Sequence, residues 1–329
     1  MTRAMVTGAA GFIGSTLVDR LLLEGYDVIA VDNLSTGTMA NLDHAIRTNR
    51  TTPGRFTFHQ FDVQAPELRG IVVGSNPDII FHLAAHIDVR RSVADPMFDA
   101  GNNVLGTINI CESASIAGVR RIVYAASGGS RYGAPERLPA DEQSPLAPES
   151  PYAVSKIAGE LYLQAYAHMY GITPICLALS NVYGPRQSVV GEAGVIAAFA
   201  SALAAGRNVT VFGDGSATRD YIYVDDVVRA FIASAQAPSE ITGTFNIGTG
   251  RQISVVDLHR VIALLFDGAP PPFFAPARTG EVQNSALDAR KALRDLGWVP
   301  AVNLVDGIER TVAWLRSVQG ANQPAELGA

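Results

Sequence analysis

The first thirty-two residues constrain this chain more than any other stretch. Ala4 to Thr7 is a short apolar run that breaks into Gly8-Ala9-Ala10-Gly11-Phe12-Ile13-Gly14. Ile13, Leu17, Val18, Leu21 and Leu22 then recur at helical spacing, and Gly25 closes that helix. Val28-Ile29-Ala30-Val31 reads as a second buried strand stopping at Asp32. Strand, glycine-rich turn, helix, strand and acid form a dinucleotide-binding unit. Its glycines bring backbone amides close to a pyrophosphate at a helix N-terminus, where the dipole favours an anion. Asp32 lies 18 residues past Gly14, placed to accept from adenosine ribose hydroxyls and to repel a 2′-phosphate. NAD is therefore expected rather than NADP, all the more because Asn33-Leu34-Ser35 brings no cation. Three spaced glycines alone mark ordinary turns; the flanking strands and Asp32 make the pattern specific. A phosphate loop of the NTPase kind is excluded, since no Lys-Ser or Lys-Thr pair follows Gly14.

Strands and helices go on alternating. Phe56 to Phe61 leads to Asp62-Val63, and Ile79 to Leu83 leads to Ala84-Ala85-His86. A long helical stretch through Asn103 to Ala117 precedes the strand Arg121 to Ala126, which ends at Ser127. Thr173 to Leu179 follows as a further strand. Repeated βα units predict an α/β fold with a doubly wound parallel sheet, ligands lying across the carboxyl ends of its strands. Asp32, Asp62, Ala84 and Ser127 all fall at such ends. Past residue 180 the pattern loosens. Asn181 to Arg186 reads as a loop, Ala193 to Gly206 as an Ala-rich helix and Val209 to Phe212 as a short strand. A helix near Asp225 to Ala235 and a strand at Thr244 to Ile247 are expected to rejoin the first sheet. The remainder reads as short helices split by Ala269-Pro270-Pro271-Pro272. The expected organisation is a Rossmann domain over 1–180 plus about 220–248, and a smaller α/β substrate domain over 181–219 and 249–318. A polar tail at 319–329 is expected to be disordered.

A second pattern carries chemistry. In Ser150-Pro151-Tyr152-Ala153-Val154-Ser155-Lys156, Ser150 suits an N-cap and Pro151 the first helical turn. Helix formers continue to about His168, so Tyr152 and Lys156 share one face, one turn apart. The ammonium then favours the ionised phenol. To serve as a base at neutrality, a phenol must fall by roughly three pH units, about 4 kcal/mol of differential stabilisation. A lysine, a bound cationic cofactor and exclusion of water are together of that order. The spacing by itself also fits a solvated helix face; the dinucleotide unit upstream is what gives it meaning.

With 329 residues and 48% hydrophobic composition, the chain can bury a core large enough for two lobes. Net charge is −6 with no basic run, which argues against a nucleic-acid surface. Cys111 and Cys176 sit in buried-looking elements and fit free thiols of a reducing compartment better than a disulfide or metal site. No basic-then-apolar leader precedes Met5, and no apolar run reaches the length of a membrane span. The expectation is a soluble cytoplasmic protein. His82 and His86 lack partners at metal-ligand spacing, and no metal is implied.

Gly8, Gly11, Gly14, Ser127, Tyr152 and Lys156 together resemble the extended short-chain dehydrogenase/reductase superfamily, and within it the UDP-hexose 4-epimerases. The resemblance runs from residue 3 to about residue 316. It extends to Asp32-Asn33-Leu34, His82-Leu83-Ala84-Ala85, Asn181-Val182-Tyr183-Gly184-Pro185-Arg186 and Arg219-Asp220-Tyr221-Ile222-Tyr223-Val224-Asp225-Asp226. It implies that Tyr152 is the catalytic base. Lys156 would bind the nicotinamide ribose while lowering the tyrosine's pKa, and Ser127 would hydrogen-bond the sugar O4 and the tyrosine. The turn Ser127-Gly128-Gly129-Ser130-Arg131-Tyr132-Gly133 departs from the commoner Ser/Thr-rich version, so Ser130 competes for the serine role. The resemblance further assigns NAD contacts to Phe12, Ile13, Asp32, Asn33, Thr36, Gly37, Asp62, Val63, Leu83, Ala84, Ala85 and Asn103. Substrate contacts fall to Asn181, Val195, Phe212, Arg219, Arg278 and Ser285. The two arginines suit a diphosphate, although Arg219 is equally placed to pair with Asp225 or Asp226.

The implied reaction inverts C4 of a UDP-hexose: Tyr152 takes the O4 proton, C4 passes its hydride to NAD, and the 4-keto sugar turns before the hydride returns. The family's gate position falls on Ser285, where a small residue admits an N-acetyl group and a Tyr excludes it; Ser285 is also placed to begin a strand at Ala286-Leu287. UDP-glucose and UDP-galactose are the expected substrates, with turnover of UDP-N-acetylglucosamine besides. Rival readings within the superfamily are a UDP-glucuronate 4-epimerase, a decarboxylase or a 4,6-dehydratase. The dehydratases place Asp-Glu directly after the catalytic Thr, where this chain has Gly128-Gly129. A non-catalytic NAD-sensing regulator is the reading from another class, and such proteins tend to lose the Tyr or Lys that this chain keeps. The family is often dimeric through helices like those at 95–117 and 151–168, so a homodimer is expected.

Overall fold

The computed structural model describes residues 1–189, 194–277 and 282–321. Six strands alternate with helices along the first half: β1 (Arg3–Thr7), β2 (Asp27–Asp32), β3 (Arg55–Gln60), β4 (Ile79–His82), β5 (Arg121–Ser127) and β6 (Thr173–Leu179). Three short strands follow, β7 (Asn181–Tyr183), β8 (Thr210–Phe212) and β9 (Thr218–Arg219). The last four are β10 (Tyr221–Tyr223), β11 (Gly243–Ile247), β12 (Ile253–Ser254) and β13 (Phe273–Ala275). The main sheet has seven strands in the order β11-β6-β5-β4-β1-β2-β3, and every neighbouring pair is parallel. Chain order reverses beside β1, between β4 and β2. That reversal opens a crevice at the carboxyl ends.

Helices cover both faces. On one side α1 (Phe12–Leu23) and α2 (Asp43–Thr48) supply Leu17, Val18, Leu21 and Ala45 to a core with the sheet's Val6, Phe81 and Leu177. On the other, α3 (Leu68–Ser75) is followed by α4 (Val89–Ala94), α5 (Pro96–Ala100) and α6 (Gly106–Ala117). Then come the single turn α7 (Gly128–Arg131) and α8 (Pro151–Tyr170). Leu68, Ile110, Ala114, Leu163 and Tyr166 pack there against Met5, Ile80 and Ile122. These strands are buried on both faces, which is why they read as continuous apolar runs without alternation. Ser150 caps α8 by accepting from the Ala153 amide at 3.2 Å, Pro151 occupies its first turn, and Gly171 ends it at φ +72°.

A third core lies beyond the sheet. It joins α9 (Val195–Ala204) to β10, and α11 (Val255–Ala263) to α13 (Leu304–Ala321), through Ile196, Phe199, Tyr223, Leu258 and Ile308. Between them in sequence, α10 (Val224–Gln236) and β11 return to the main sheet as expected, and α12 (Arg290–Leu296) packs near them.

Four expectations are corrected. The stretch Asn181–Tyr183 is not a loop but pairs in parallel with β10. The helix running through Asn103 is broken by a π-helical turn, Gly101–Leu105, between α5 and α6. The last helix is not short, spanning 18 residues to Ala321, inside the expected tail, of which 322–329 lies outside the described residues. Ala286-Leu287 forms no strand, only an isolated bridge from Leu287 to Ala140.

Candidate active site

A cavity of about 1520 Å³ runs along the carboxyl ends of the strands and reaches under the third core. The glycine turn after β1 forms one wall. Gly8 has φ +71°, and a side chain at Gly14 would collide with the Gly8 carbonyl, so the first turn of α1 seats directly on the strand end. Gly11 is the N-cap of α1 and has no side chain to cap it. The free amides of that turn, with the positive end of the helix dipole, suit a pyrophosphate. Asp32 closes this end. Its carboxylate accepts from the Ala10 amide at 2.9 Å and the Leu34 amide at 2.7 Å, one bond per oxygen, leaving lone pairs for ribose hydroxyls. Burial raises its pKa, and the two amide bonds counter the rise. Asn33 donates to Asp62 at 2.8 Å, tying the ends of β2 and β3 together over the adenosine end of the cavity.

Of the sequence-predicted cofactor contacts, Gly8, Gly11, Phe12, Ile13, Gly14, Asp32, Asn33, Thr36, Asp62, Val63, Leu83, Ala84, Ala85, Tyr152 and Lys156 all line the cavity. Two do not. Gly37 lies behind the wall, where the next residue, Thr38, bonds the Ala10 carbonyl. Asn103 is 1% exposed and turned inward: its amide nitrogen bonds the His86 carbonyl, Asp99 and Ser155, and its oxygen accepts from the His86 amide. Asn102 lines the cavity instead, because the π-helical turn shifts the helical phase by one residue at that point.

At the other end stand Ser127, Tyr152 and Lys156. Ser127 ends β5. Its hydroxyl accepts from Ser130 at 2.7 Å, so the two candidate serines are joined rather than alternatives. Lys156 is 3% exposed with its ammonium 4.2 Å from the centre of the Tyr124 ring. Burial lowers its pKa to about 8, against the opposing charge of Glu160. Glu160 is itself held by Arg131 at 2.7 and 2.9 Å and by Thr244 at 2.8 Å. At Tyr152 the chain alone does not lower the phenol's pKa; the expected fall involves a bound cationic cofactor as well. Burial raises its pKa, hydrogen bonding from Ser127 pulls it down, and the Asp99 charge pushes it up again. The protein alone therefore holds its base protonated.

The substrate-side candidates Asn181, Val195, Phe212 and Arg219 line the same cavity. Arg219 bonds the carbonyls of Thr218 and Gln283, whereas Asp226 is taken by Arg229 and by the amides of Ala301 and Val302. Ser285 is 8% exposed and does not line the cavity; its amide bonds the Thr218 carbonyl at 3.2 Å. Arg278 lies outside the described residues. Among the other lining residues, His44 and Arg47 carried no signal in sequence. They reach the wall from α2, so cations do approach the ribose end, though not from the residues following Asp32. Arg186 lines the cavity while paired to Asp19 of α1 at 2.6 Å.

A doubly wound sheet, an uncapped glycine turn with an acid at the next strand end, and a half-buried Tyr152 with a buried Lys156 one helical turn on define a dinucleotide-dependent enzyme of the short-chain type. The chain belongs to the NAD dependent epimerase/dehydratase family, whose model matches residues 4–248, and NAD is its cofactor. It is 48% identical over 315 residues to a UDP-glucose 4-epimerase of Mycolicibacterium smegmatis, covering 96% of this chain and 99% of that one. The crystal structure of UDP-glucose 4-epimerase with UDP-glucose from Thermotoga maritima superposes with TM-score 0.91 at 38% identity, covering 97% of this chain and 100% of the other. UDP-N-acetylglucosamine 4-epimerase from Methanobrevibacter ruminantium, solved with UDP-N-acetylmuramic acid, gives TM-score 0.88 at 30% identity over 96% and 99% of the two chains.

Proposed function

We propose that this chain is a UDP-glucose 4-epimerase that interconverts UDP-galactose and UDP-glucose, with UDP-N-acetylglucosamine as a secondary substrate. One observation carries the reading: Ser127, Tyr152 and Lys156 converge at the far end of a cavity whose near end is the glycine turn and Asp32. Gly128 and Gly129 stand where a dehydratase needs an acid and a base, so water elimination has no catalyst on this turn.

The α1 amides, Asp32 and Lys156 would hold NAD, which when bound would supply the acceptor for the C4 hydride. The chain's own residues handle the proton and the positions. Tyr152 removes the proton from O4 and gives it back; Ser127 donates toward the phenolate and the sugar oxygen. Lys156, with its pKa near 8, stays largely charged at neutrality, one helical turn from the phenol on α8. A positioned base contributes typically about 10²–10⁴-fold, and the rest falls to alignment of C4 with its acceptor. Arg219, with Arg278 as its expected partner, meets the diphosphate from the lobe made by 181–219 and 249–318. Acceptance of an N-acetyl group is supported by the Methanobrevibacter relative, and not by Ser285, which lies outside the cavity lining.

A homodimer is supported by the apolar side chains that the π-helical turn, α6 and α8 leave in solvent. Leu105 is 60% exposed, Ile116 55%, Val154 53% and Leu161 56%. A cytoplasmic setting accords with two buried free thiols. The test is a panel of UDP-glucose, UDP-galactose, their N-acetyl forms and UDP-glucuronate, followed by product chromatography. Interconversion of the first two is expected. Turnover of UDP-glucuronate alone would overturn the reading.

A further inference from the structure

We propose that Ser130 is a positioning residue for the base, turning the Ser127 hydroxyl so that its proton faces the Tyr152 oxygen. The proposal rests on Tyr152 acting as the base of the 4-epimerase reading above. Ser127 sits at the N-cap of α7 in extended conformation, φ −115° and ψ 109°, where a serine hydroxyl ordinarily accepts from the helix amides. It makes no such bond here. It accepts from Ser130, one turn on, at 2.7 Å.

A hydroxyl has one proton to give and two lone pairs to fill. With the phenol neutral, Ser127 accepts from Ser130 and has a second lone pair for the Tyr152 hydroxyl. With the phenol ionised, Ser127 must donate to the phenolate, and its lone pair then needs a donor. Ser130 is that donor. Turning the Ser127 proton toward the phenolate, with Ser130 still donating to Ser127, serves both protonation states with every proton assigned and none created. A lone Ser127 would divide its hydroxyl among three staggered directions, only one of them useful.

The turn holding Ser130 is wedged in place. A side chain at Gly128 would lie 2.8 Å from the Ala178 carbonyl oxygen and closer still to the Leu287 side chain. Leu287 is anchored through its amide to the buried Asp220 carboxylate at 3.2 Å, and Asp220 also holds Thr249 and Gly250. Gly128, the first of the two glycines that depart from the Ser/Thr-rich pattern, thus lets α7 press against β6, and Ser130 lies one turn on from Ser127. Hydrogen bonding from Ser127 is the one influence resolved as lowering the Tyr152 pKa, so whatever aims that hydroxyl acts on the base.

The charges around the phenol are Asp99 from α5, Lys156 one turn along α8, and beyond it the Arg131–Glu160 pair; His86 and Arg91 line the same cavity. A change at Ser130 removes none of them. The experiment measures kcat and KM for UDP-galactose against pH in the NAD-loaded wild type, Ser130→Ala, Ser130→Thr and Tyr152→Phe. The ultraviolet titration of the Tyr152 phenolate is recorded in parallel, with Tyr152→Phe as the blank. Ser130→Ala is expected to lose about tenfold in kcat with KM unchanged, and to raise the phenolate midpoint by roughly half a pH unit or more. Ser130→Thr, which keeps the hydroxyl, should restore both. If the alanine variant does not accumulate, Ser130→Gly carries the same measurement. An unaltered kcat and midpoint in Ser130→Ala beside an inactive Tyr152→Phe overturns this proposal alone, as does a threonine variant no better than alanine. Full turnover by Tyr152→Phe overturns the parent reading, and this one with it.

Discussion

Burial acts on Tyr152 and Lys156 in opposite senses. It keeps the phenol neutral and makes the ammonium easier to lose, so in the free chain both groups resist the ion pair that proton abstraction needs. Tyr152→Phe should therefore lose roughly 10²-fold or more in kcat while NAD remains bound. Stopped-time assays on UDP-galactose, with cofactor content measured after denaturation, decide it; turnover close to wild type would remove Tyr152 from its role. The residues of this site that were legible in sequence are those at strand ends, because a buried parallel strand announces itself and its last residue faces the crevice. Asp32 and Ser127 are of that kind, and Asp62 and Ala84 lie two residues past the ends of β3 and β4. Asn102 was missed in favour of its neighbour Asn103, because helical spacing assumes 3.6 residues per turn and the π-helical turn at Gly101–Leu105 does not keep it. Arg47 was missed for a different reason: it reaches the cavity from α2, whose own pattern says nothing of where it points.

Helix α8 carries the base, the lysine and Glu160, so its start sets the frame for all three. Ser150 contributes a cap bond at 3.2 Å, and Ser150→Ala should cost about 1 kcal/mol in chemical denaturation. Because the register of Tyr152 also depends on its amide bonding Ser92 at 3.2 Å, kcat should fall less than tenfold. The outer face of the same helix makes a separate forecast. If Val154 and Leu161 meet a second copy of this chain, Leu161→Glu should turn a dimer into a monomer in light scattering, and an unchanged mass would refute that contact. At this scale the sequence was readable for long amphipathic or buried segments and failed for short ones. Three residues at Asn181–Tyr183 are too few to show a period of two. Their partner lies forty residues away at Tyr221–Tyr223, so the pairing is decided only by tertiary packing.

Taken as a whole, the molecule carries an acid-sensitive element at its centre. His82 ends β4 fully buried, with Nδ1 2.7 Å from the Thr7 hydroxyl and Nε2 3.1 Å from that of Thr107. Burial lowers its pKa from 6.5 to about 3, with the Lys156 charge adding to the effect. The unfolded chain thus takes up a proton below pH 6.5 that the folded one refuses until about pH 3. Stability from this group is full above pH 6.5 and drains away below it, at about 1.4 kcal/mol per pH unit. Melting temperature should fall as pH drops from 6.5 toward 4, and more gently in His82→Gln; identical slopes would show that other groups govern the acid limb.

The return of the chain to its own sheet has a further consequence. Strand β6 ends at Leu179 and its outer neighbour β11 begins at Gly243, so the edge of the sheet is completed only after more than sixty residues have gone elsewhere. During synthesis, a ribosome that has released everything up to β6 has released an open edge of unpaired amides, awaiting a partner that is not yet made. The excursion must gather itself before that edge can close, and α10, which packs beneath the sheet, arrives in the same interval. The two halves of this protein are therefore not modules to be cut and exchanged. Each is unfinished until the other has been translated.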